Sequence, residues 1–139
     1  MSADDIYIKK RVTINEFNLC VIAKKALNIS TPDVVEYHRD NKVMYLRRLH
    51  YMTVADKYGD LNENTPNTVY SKIRKIIKNL WNGGICYPDI TGYNFIEDDN
   101  ENIWIIDFGH AYVIVPNEKK DPFVVKFMNG YNGWNPDFA

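Results

Sequence analysis

The chain has 139 residues, a formal charge of −1, 45% apolar and 14% aromatic content. That length fits one domain or two small lobes sharing a hinge, and that apolar content builds a packed core, which excludes wholesale disorder. The near-neutral charge excludes a nucleic-acid coat or a polybasic membrane anchor, and no apolar run approaches the roughly 20 residues that a membrane span needs.

Ile6, Tyr7 and Ile8 alternate as a short strand that ends in Lys9-Lys10-Arg11. Thr13 followed three residues later by Glu16 is a capping-box signature. Ile14, Phe17, Cys20, Val21 and Leu27 supply the apolar face of a helix running from there to about Leu27. Residues 34–37 and 43–49 read as two strands around a turn at Asp40-Asn41. Residues 52–58 predict a short helix, and "GDLNENTPN" a loop. Thr65 and Pro66 start the clearest helix, with Val69, Ile73, Ile76, Ile77 and Leu80 on one face and Gly83-Gly84 as its stop. Residues 94–97 and 103–106 are strand-like runs about the polar turn "DDNEN", and residues 116–121 form another loop. In the tail "DPFVVKFMNGYNGWNPDFA", Phe123, Phe127, Trp134 and Phe138 are expected to pack back on the body. The order strand, helix, two strands, then helix, hairpin and tail predicts an α+β lobe over 1–50 and a mainly helical one over 51–139, joined near residues 49–53. A cleft between two such lobes is a common ligand site.

Cys20 and Cys86 have no C-x-x-C spacing and no nearby His pair, which points to a reducing compartment without structural zinc. The first ten residues, MSADDIYIKK, lack the apolar run of a signal peptide. A soluble, cytoplasmic protein is the expectation.

The chemistry concentrates between Gly83 and Val113, where Asp89, Asn94 and Asp107 stand in an apolar frame. Hard divalent cations take oxygen ligands, and Mg²⁺ in phosphoryl-transfer sites is held by one or two protein groups plus substrate phosphates. Asp107 and Asn94 have the right atoms. "YPDITGYNFI" followed by "IIDFGHA" resembles the catalytic loop H-R-D-L-x-x-x-N and the D-F-G of protein kinases. The resemblance implies a minimal two-lobed protein-kinase-like fold with ATP and Mg²⁺ as cofactors. In it, Asp89 would orient or deprotonate the acceptor hydroxyl, while Asn94 and Asp107 would hold the metal.

Upstream, "IYIK" resembles the V-A-I-K strand, which implies that Lys9 contacts the nucleotide phosphates with Glu16 as its ionic partner. They are only seven residues apart, which is short for that family. Glu16 as a capping residue answering Thr13 is an equal reading, and Lys10 could replace Lys9 because successive strand side chains alternate in face. The chain also departs from the family. Tyr87 and Pro88 stand where His and Arg would be, no G-x-G-x-x-G precedes Lys9, and no A-P-E follows. The expectation is a reduced kinase lacking the Gly-rich hairpin and the distal C-lobe helices, similar to small atypical kinases of large DNA viruses.

Three functions follow from this resemblance. The first is an ATP- and magnesium-dependent phosphotransferase, a small protein serine/threonine kinase. The second is a weak or inactive pseudokinase that serves as a partner-binding scaffold, and the third is a small-molecule kinase. A protein substrate or partner is expected, with no nucleic acid or membrane, and a second subunit could supply missing elements. Other features read as structural. "DDNEN" lacks the Gly and Glu of a calcium loop, and His38, His50 and His110 are scattered. Lys72, Arg74, Lys75 and Lys78 form a solvated helix face, Tyr93 and Trp104 are packing residues, and Cys86 has no histidine partner.

Overall fold

A computed structural model describes residues 5–138. The first four residues of the segment read for a leader lie outside the described residues. Strands β1 (Ile6–Lys10), β2 (Val34–His38) and β3 (Val43–Arg47) form an antiparallel sheet in the order β1-β3-β2, with Lys9 opposite Met44. The turn between β2 and β3 ends at Lys42, whose φ of 56° is left-handed.

Helix α1 (Ile14–Lys25) starts where expected, because the Glu16 N–H donates to Thr13 Oγ1 at 3.1 Å. Its buried face differs from the predicted one. Glu16, Leu19, Cys20 and Ala23 are buried, whereas Ile14 and Ile22 are exposed and Phe17 and Val21 are half-buried. The reason is that α1 is wedged between two neighbours. Phe17 stacks on Tyr37 at 4.5 Å and joins the small core of Val12, Met44 and Leu46 under the sheet. Leu19, Cys20 and Ala23 instead join the main core with Ile73, Ile77 and Leu80. A helix that buries two sides has no single apolar stripe for periodicity to find.

The chain then enters the short helix α2 (Val54–Tyr58), capped by Thr53. "GDLNENTPN" is not wholly a loop, since Asn62–Asn64 form a 3₁₀ turn. Helix α3 (Asn67–Asn82) follows Pro66 without a side-chain cap and buries Val69, Tyr70, Ile73, Ile77 and Leu80. The predicted stop holds, with the Gly83 N–H bonded to the Asn79 and Leu80 carbonyls and Gly84 at φ 90°.

The second half is less purely helical than expected. It carries two small antiparallel sheets, β4 (Ile85–Cys86) with β7 (Tyr112–Val113), and β5 (Phe95–Glu97) with β6 (Ile103–Ile105). The tail, for which the sequence predicts packing but no element, forms α4 (Pro122–Met128), capped by Asp121 through the Val124 N–H at 2.9 Å. Arg74 is not part of a solvated face. Its guanidinium reaches the Phe127 carbonyl at 2.7 Å and the Tyr131 carbonyl at 2.9 Å, and lies 5.0 Å over the Phe127 ring. The tail folds back over α3 and leaves carbonyls there that need a fixed, forked donor. Lys72 likewise donates to the Glu101 carbonyl at 2.8 Å. Among the described residues, no helix is long and apolar enough to cross a membrane.

The β5–β6 hairpin is tied to α2 by a buried carboxylate. Glu97 accepts from Lys57 Nζ and from the Tyr58 hydroxyl, both at 2.6 Å. Burial pushes the Glu97 carboxyl up, but these two donors outweigh it and hold it below the usual glutamate value. A depressed folded-state pKa stabilises the fold above the ordinary glutamate range. That contribution fades as pH falls through the lower, folded value. Acid denaturation of Glu97→Gln is therefore expected to lose part of the wild-type pH dependence below about pH 4.5. Identical acid-unfolding slopes for the two proteins would contradict this.

Candidate active site

The β1–β3 register decides between the two lysines. Lys9 Nζ pairs with the Glu16 carboxylate and, at 2.9 Å, with Asp107 Oδ1, whereas Lys10 is exposed. Glu16 is 6% exposed and its carboxylate faces Lys9. Only its backbone N–H takes part in the Thr13 cap, so the capping reading of its side chain gives way to the ion pair. Burial weakens the Lys9 charge, yet the two carboxylates hold its ammonium above the ordinary lysine value.

Asp107 Oδ1 accepts a second bond, from the Gly109 N–H at 2.8 Å. Gly109 is needed for that approach. A Cβ there would sit 3.1 Å from Asp107 Oδ1 and 3.6 Å from Glu16 Oε1. Burial pushes the Asp107 carboxyl up, while the Lys9 charge and the Gly109 N–H outweigh it, so the group is held below the ordinary aspartate value. Tyr87 fixes the same segment from below. Its buried hydroxyl donates to the Asp107 carbonyl, and its ring meets Phe108 edge-on at 5.7 Å. The sequence marks Tyr87 only as a replacement for histidine, and nothing local foretells that contact 20 residues away.

Asp89 and Asn94 lie on a tightly hydrogen-bonded loop between β4 and β5. The Asn94 amide nitrogen donates to the Asp89 carbonyl at 2.8 Å, and the Asn94 carbonyl accepts from the Ile106 N–H at 3.1 Å. The second bond sets Asn94 beside the residue preceding Asp107. At Gly92 a Cβ would lie 3.1 Å from the Ala55 nitrogen, so glycine lets α2 close on this loop through the Ala55 N–H to Gly92 carbonyl bond of 2.9 Å. Burial raises the Asp89 carboxyl above the ordinary aspartate value; the Asn94 amide opposes the shift and the Asp107 charge adds to it.

Lys9, Asn94 and Asp107 line one cavity of about 400 Å³, together with the apolar Leu46, Ile96 and Ile106. Glu16 and Asp89 lie off its wall. The donor set suits Mg²⁺ shared with a phosphate. Because the Asn94 amide nitrogen is committed to Asp89, its oxygen is the atom left for a cation, and Asp107 adds a carboxylate. Among the described residues no three His, Cys, Asp or Glu side chains cluster as a self-sufficient metal cage. One or two protein oxygens plus ligand phosphates is the usual Mg²⁺ arrangement.

Of the other singled-out residues, Tyr93 also lines the cavity, and the rest lie off its wall. Cys20 and Cys86 are buried free thiols. The "DDNEN" segment is a hairpin turn in which Asp98 Oδ1 accepts from the Asn100 and Asn102 N–H groups at 2.9 Å. Trp104 is half-buried and donates to Asp98 at 3.1 Å, while Tyr93 is not a packing residue; it is 53% exposed and donates to Asp60 at 2.6 Å. The His110 ring lies tilted against Phe138, with centroids 5.0 Å apart.

The fold is similar to that of a solved kinase. The structure of the Cydia pomonella granulovirus kinase PK-1 superposes with a TM-score of 0.60 at 12% identity, over 84% of this chain and 46% of that one. The chain has a protein-kinase-like fold. No family model matches this kinase-like chain. A probable bifunctional tRNA threonylcarbamoyladenosine biosynthesis protein of Methanococcus maripaludis strain C5 is 30% identical over 105 residues, 76% of this chain and 18% of that protein. A 3-deoxy-D-manno-octulosonic acid kinase of Photobacterium damsela subsp. piscicida is 34% identical over 58 residues, 41% of this chain and 24% of that kinase. The kinase-like chain thus spans about a fifth to a quarter of the length of these curated relatives.

Proposed function

We propose that the chain is an ATP- and magnesium-dependent phosphotransferase acting on a hydroxyl, with a protein serine or threonine as acceptor. One observation carries this reading: Lys9, paired with Glu16, meets Asp107 on the wall of the same cavity that Asn94 lines. Lys9 would hold the nucleotide phosphates, its ammonium kept charged and in place by Glu16. Asp107 and Asn94 would hold Mg²⁺, which when bound neutralises charge on the phosphates. Asp89, outside the cavity wall but one hydrogen bond from Asn94, would orient the acceptor hydroxyl and take its proton. Its raised pKa suits proton transfer better than that of an ordinary aspartate.

A small-molecule acceptor is the second reading, favoured by the similarity to a kinase named for a sugar acid. A partner such as a second subunit could complete the site at the β1 edge, where Tyr7 and Ile8 are exposed.

Thermal denaturation with and without Mg-ATP, followed by single-turnover transfer from γ-labelled ATP, tests the proposal. Stabilisation by Mg-ATP and labelling of an acceptor are expected in the wild type. Asp89→Asn should keep the stabilisation and lose at least about 10²-fold in transfer, the lower end for a general base. Stabilisation with no transfer to protein, sugar or water would replace the proposal with a nucleotide-binding scaffold, the pseudokinase alternative.

A further inference from the structure

The tail approaches the loop that carries Asp89 in a way that the kinase resemblance does not supply. Asn135 is 2% exposed, and each of its four polar groups has a partner. Its backbone N–H donates to the Ile90 carbonyl at 2.8 Å, and its side-chain Nδ2 donates to the Pro88 carbonyl at 2.8 Å. Its Oδ1 accepts from the Asp137 N–H at 3.1 Å, and its carbonyl accepts from the Phe138 N–H at 3.1 Å. The two donors of one residue thus grip the carbonyls on either side of Asp89. Asn135 reaches across 47 residues of sequence to do so.

The neighbouring residue anchors this grip to the main core. The Trp134 ring lies 4.8 Å from the Tyr70 ring of α3, and the Trp134 backbone N–H donates to Asn62 Oδ1 at 3.1 Å. Asn135 is therefore held on a packed element while it holds the loop, and buried amide pairs of this kind fix one geometry because the unpaired alternative is costly. No other side chain fills the role in the same space. Aspartate has the shape but lacks the donor for the Pro88 carbonyl, alanine lacks both side-chain atoms, and glutamine is one methylene longer.

On the phosphotransfer reading above, we infer that Asn135 is a positioning residue that sets the Asp89 carboxylate in its place for the acceptor hydroxyl. It touches neither nucleotide nor acceptor and acts through the backbone of residues 88–90. Misplacing a catalytic group by about 1 Å costs on the order of a hundredfold in rate, so the effect falls on kcat. Nucleotide binding depends on Lys9, Asn94 and Asp107 and stays unchanged.

The test uses the full chain, γ-labelled ATP with Mg²⁺, and casein as probe acceptor, with phosphate release to water measured in parallel. Asn135→Asp and Asn135→Ala are expected to keep the Mg-ATP thermal shift and the KM for ATP, while kcat drops about 10- to 100-fold. Asp137→Pro, on the exposed part of the tail, removes the N–H that orients the Asn135 amide, together with an exposed carboxylate, and leaves the Asn135 side chain in place. It should lower kcat several-fold at unchanged KM, even if both Asn135 variants fail to fold. Folded variants with wild-type kcat overturn this role alone, as does a fall in kcat matched by a rise in KM and a lost thermal shift, which marks general loosening. A wild type that transfers to neither casein nor water overturns the phosphotransfer reading, and this role with it.

Discussion

Asp107→Asn is expected to abolish the stabilisation that Mg-ATP confers on the wild type. Binding at a hundred times the dissociation constant stabilises a folded protein by about 2.7 kcal/mol, which for a chain of this size raises the melting temperature by several degrees. In the variant that shift should fall to near zero. Asp107 carries two duties at once. Its Oδ1 anchors Lys9 at 2.9 Å, and among the described residues its carboxylate is the only one on the wall of the cavity. An amide in its place supplies a neutral oxygen for the cation and no counter-charge for the lysine, so both phosphate contacts weaken together. Asp89→Asn is the control, because Asp89 lies off the cavity wall and its loss should leave the shift intact. Equal thermal shifts in Asp107→Asn and wild type would contradict the assignment of Asp107.

The second large effect concerns the tail. Phe127→Ala is expected to destabilise the fold by about 3–5 kcal/mol, the range for emptying a fully buried aromatic site. Phe127 is wholly buried between α3 and α4, its ring beneath the Arg74 guanidinium and its carbonyl accepting from Arg74 Nε. Truncation leaves a cavity and removes the ring under the Arg74 guanidinium, while the backbone carbonyl that Arg74 Nε reaches is kept. Urea unfolding reads the loss directly. A loss below about 1 kcal/mol would show that α4 is a loosely attached appendage and not part of the core.

Where the sequence could be read, the signal was local. The α3 stripe from Val69 to Leu80 has one buried face, one start and one glycine stop, so periodicity suffices. The β5–β6 hairpin brings Asp107 back toward Asn94 because three pairs of residues match about a polar turn. The D-F-G and the D-x-x-x-x-N spacing mark the same loops that the fold brings to one cavity.

What escaped was decided by contacts distant in sequence. Only the pairing of Lys9 with Met44 fixes which of two adjacent lysines meets Glu16 and Asp107. The α1 face is not legible in the sequence because that helix serves two cores. Strands β4 and β7 have two residues each, too few to show a period, and α4 was masked by the aromatic character of the tail. Arg74 and Asn135 both look like surface residues in one dimension. Arg74 becomes a half-buried donor and Asn135 a buried one only because the tail returns to α3 and to the Asp89 loop. Tyr87 shows the converse case: a departure from the family pattern marks its position, while its role needs the Asp107 carbonyl to be in reach.

The most direct measurement is a crystal structure of the chain with Mg²⁺ and a non-hydrolysable ATP analogue. The account predicts one Mg²⁺ at about 2.1 Å from both a carboxylate oxygen of Asp107 and the amide oxygen of Asn94, with phosphate oxygens completing an octahedron and Lys9 on the phosphates. A nucleotide bound elsewhere, or a magnesium ion that either of these two oxygens fails to reach, would contradict it.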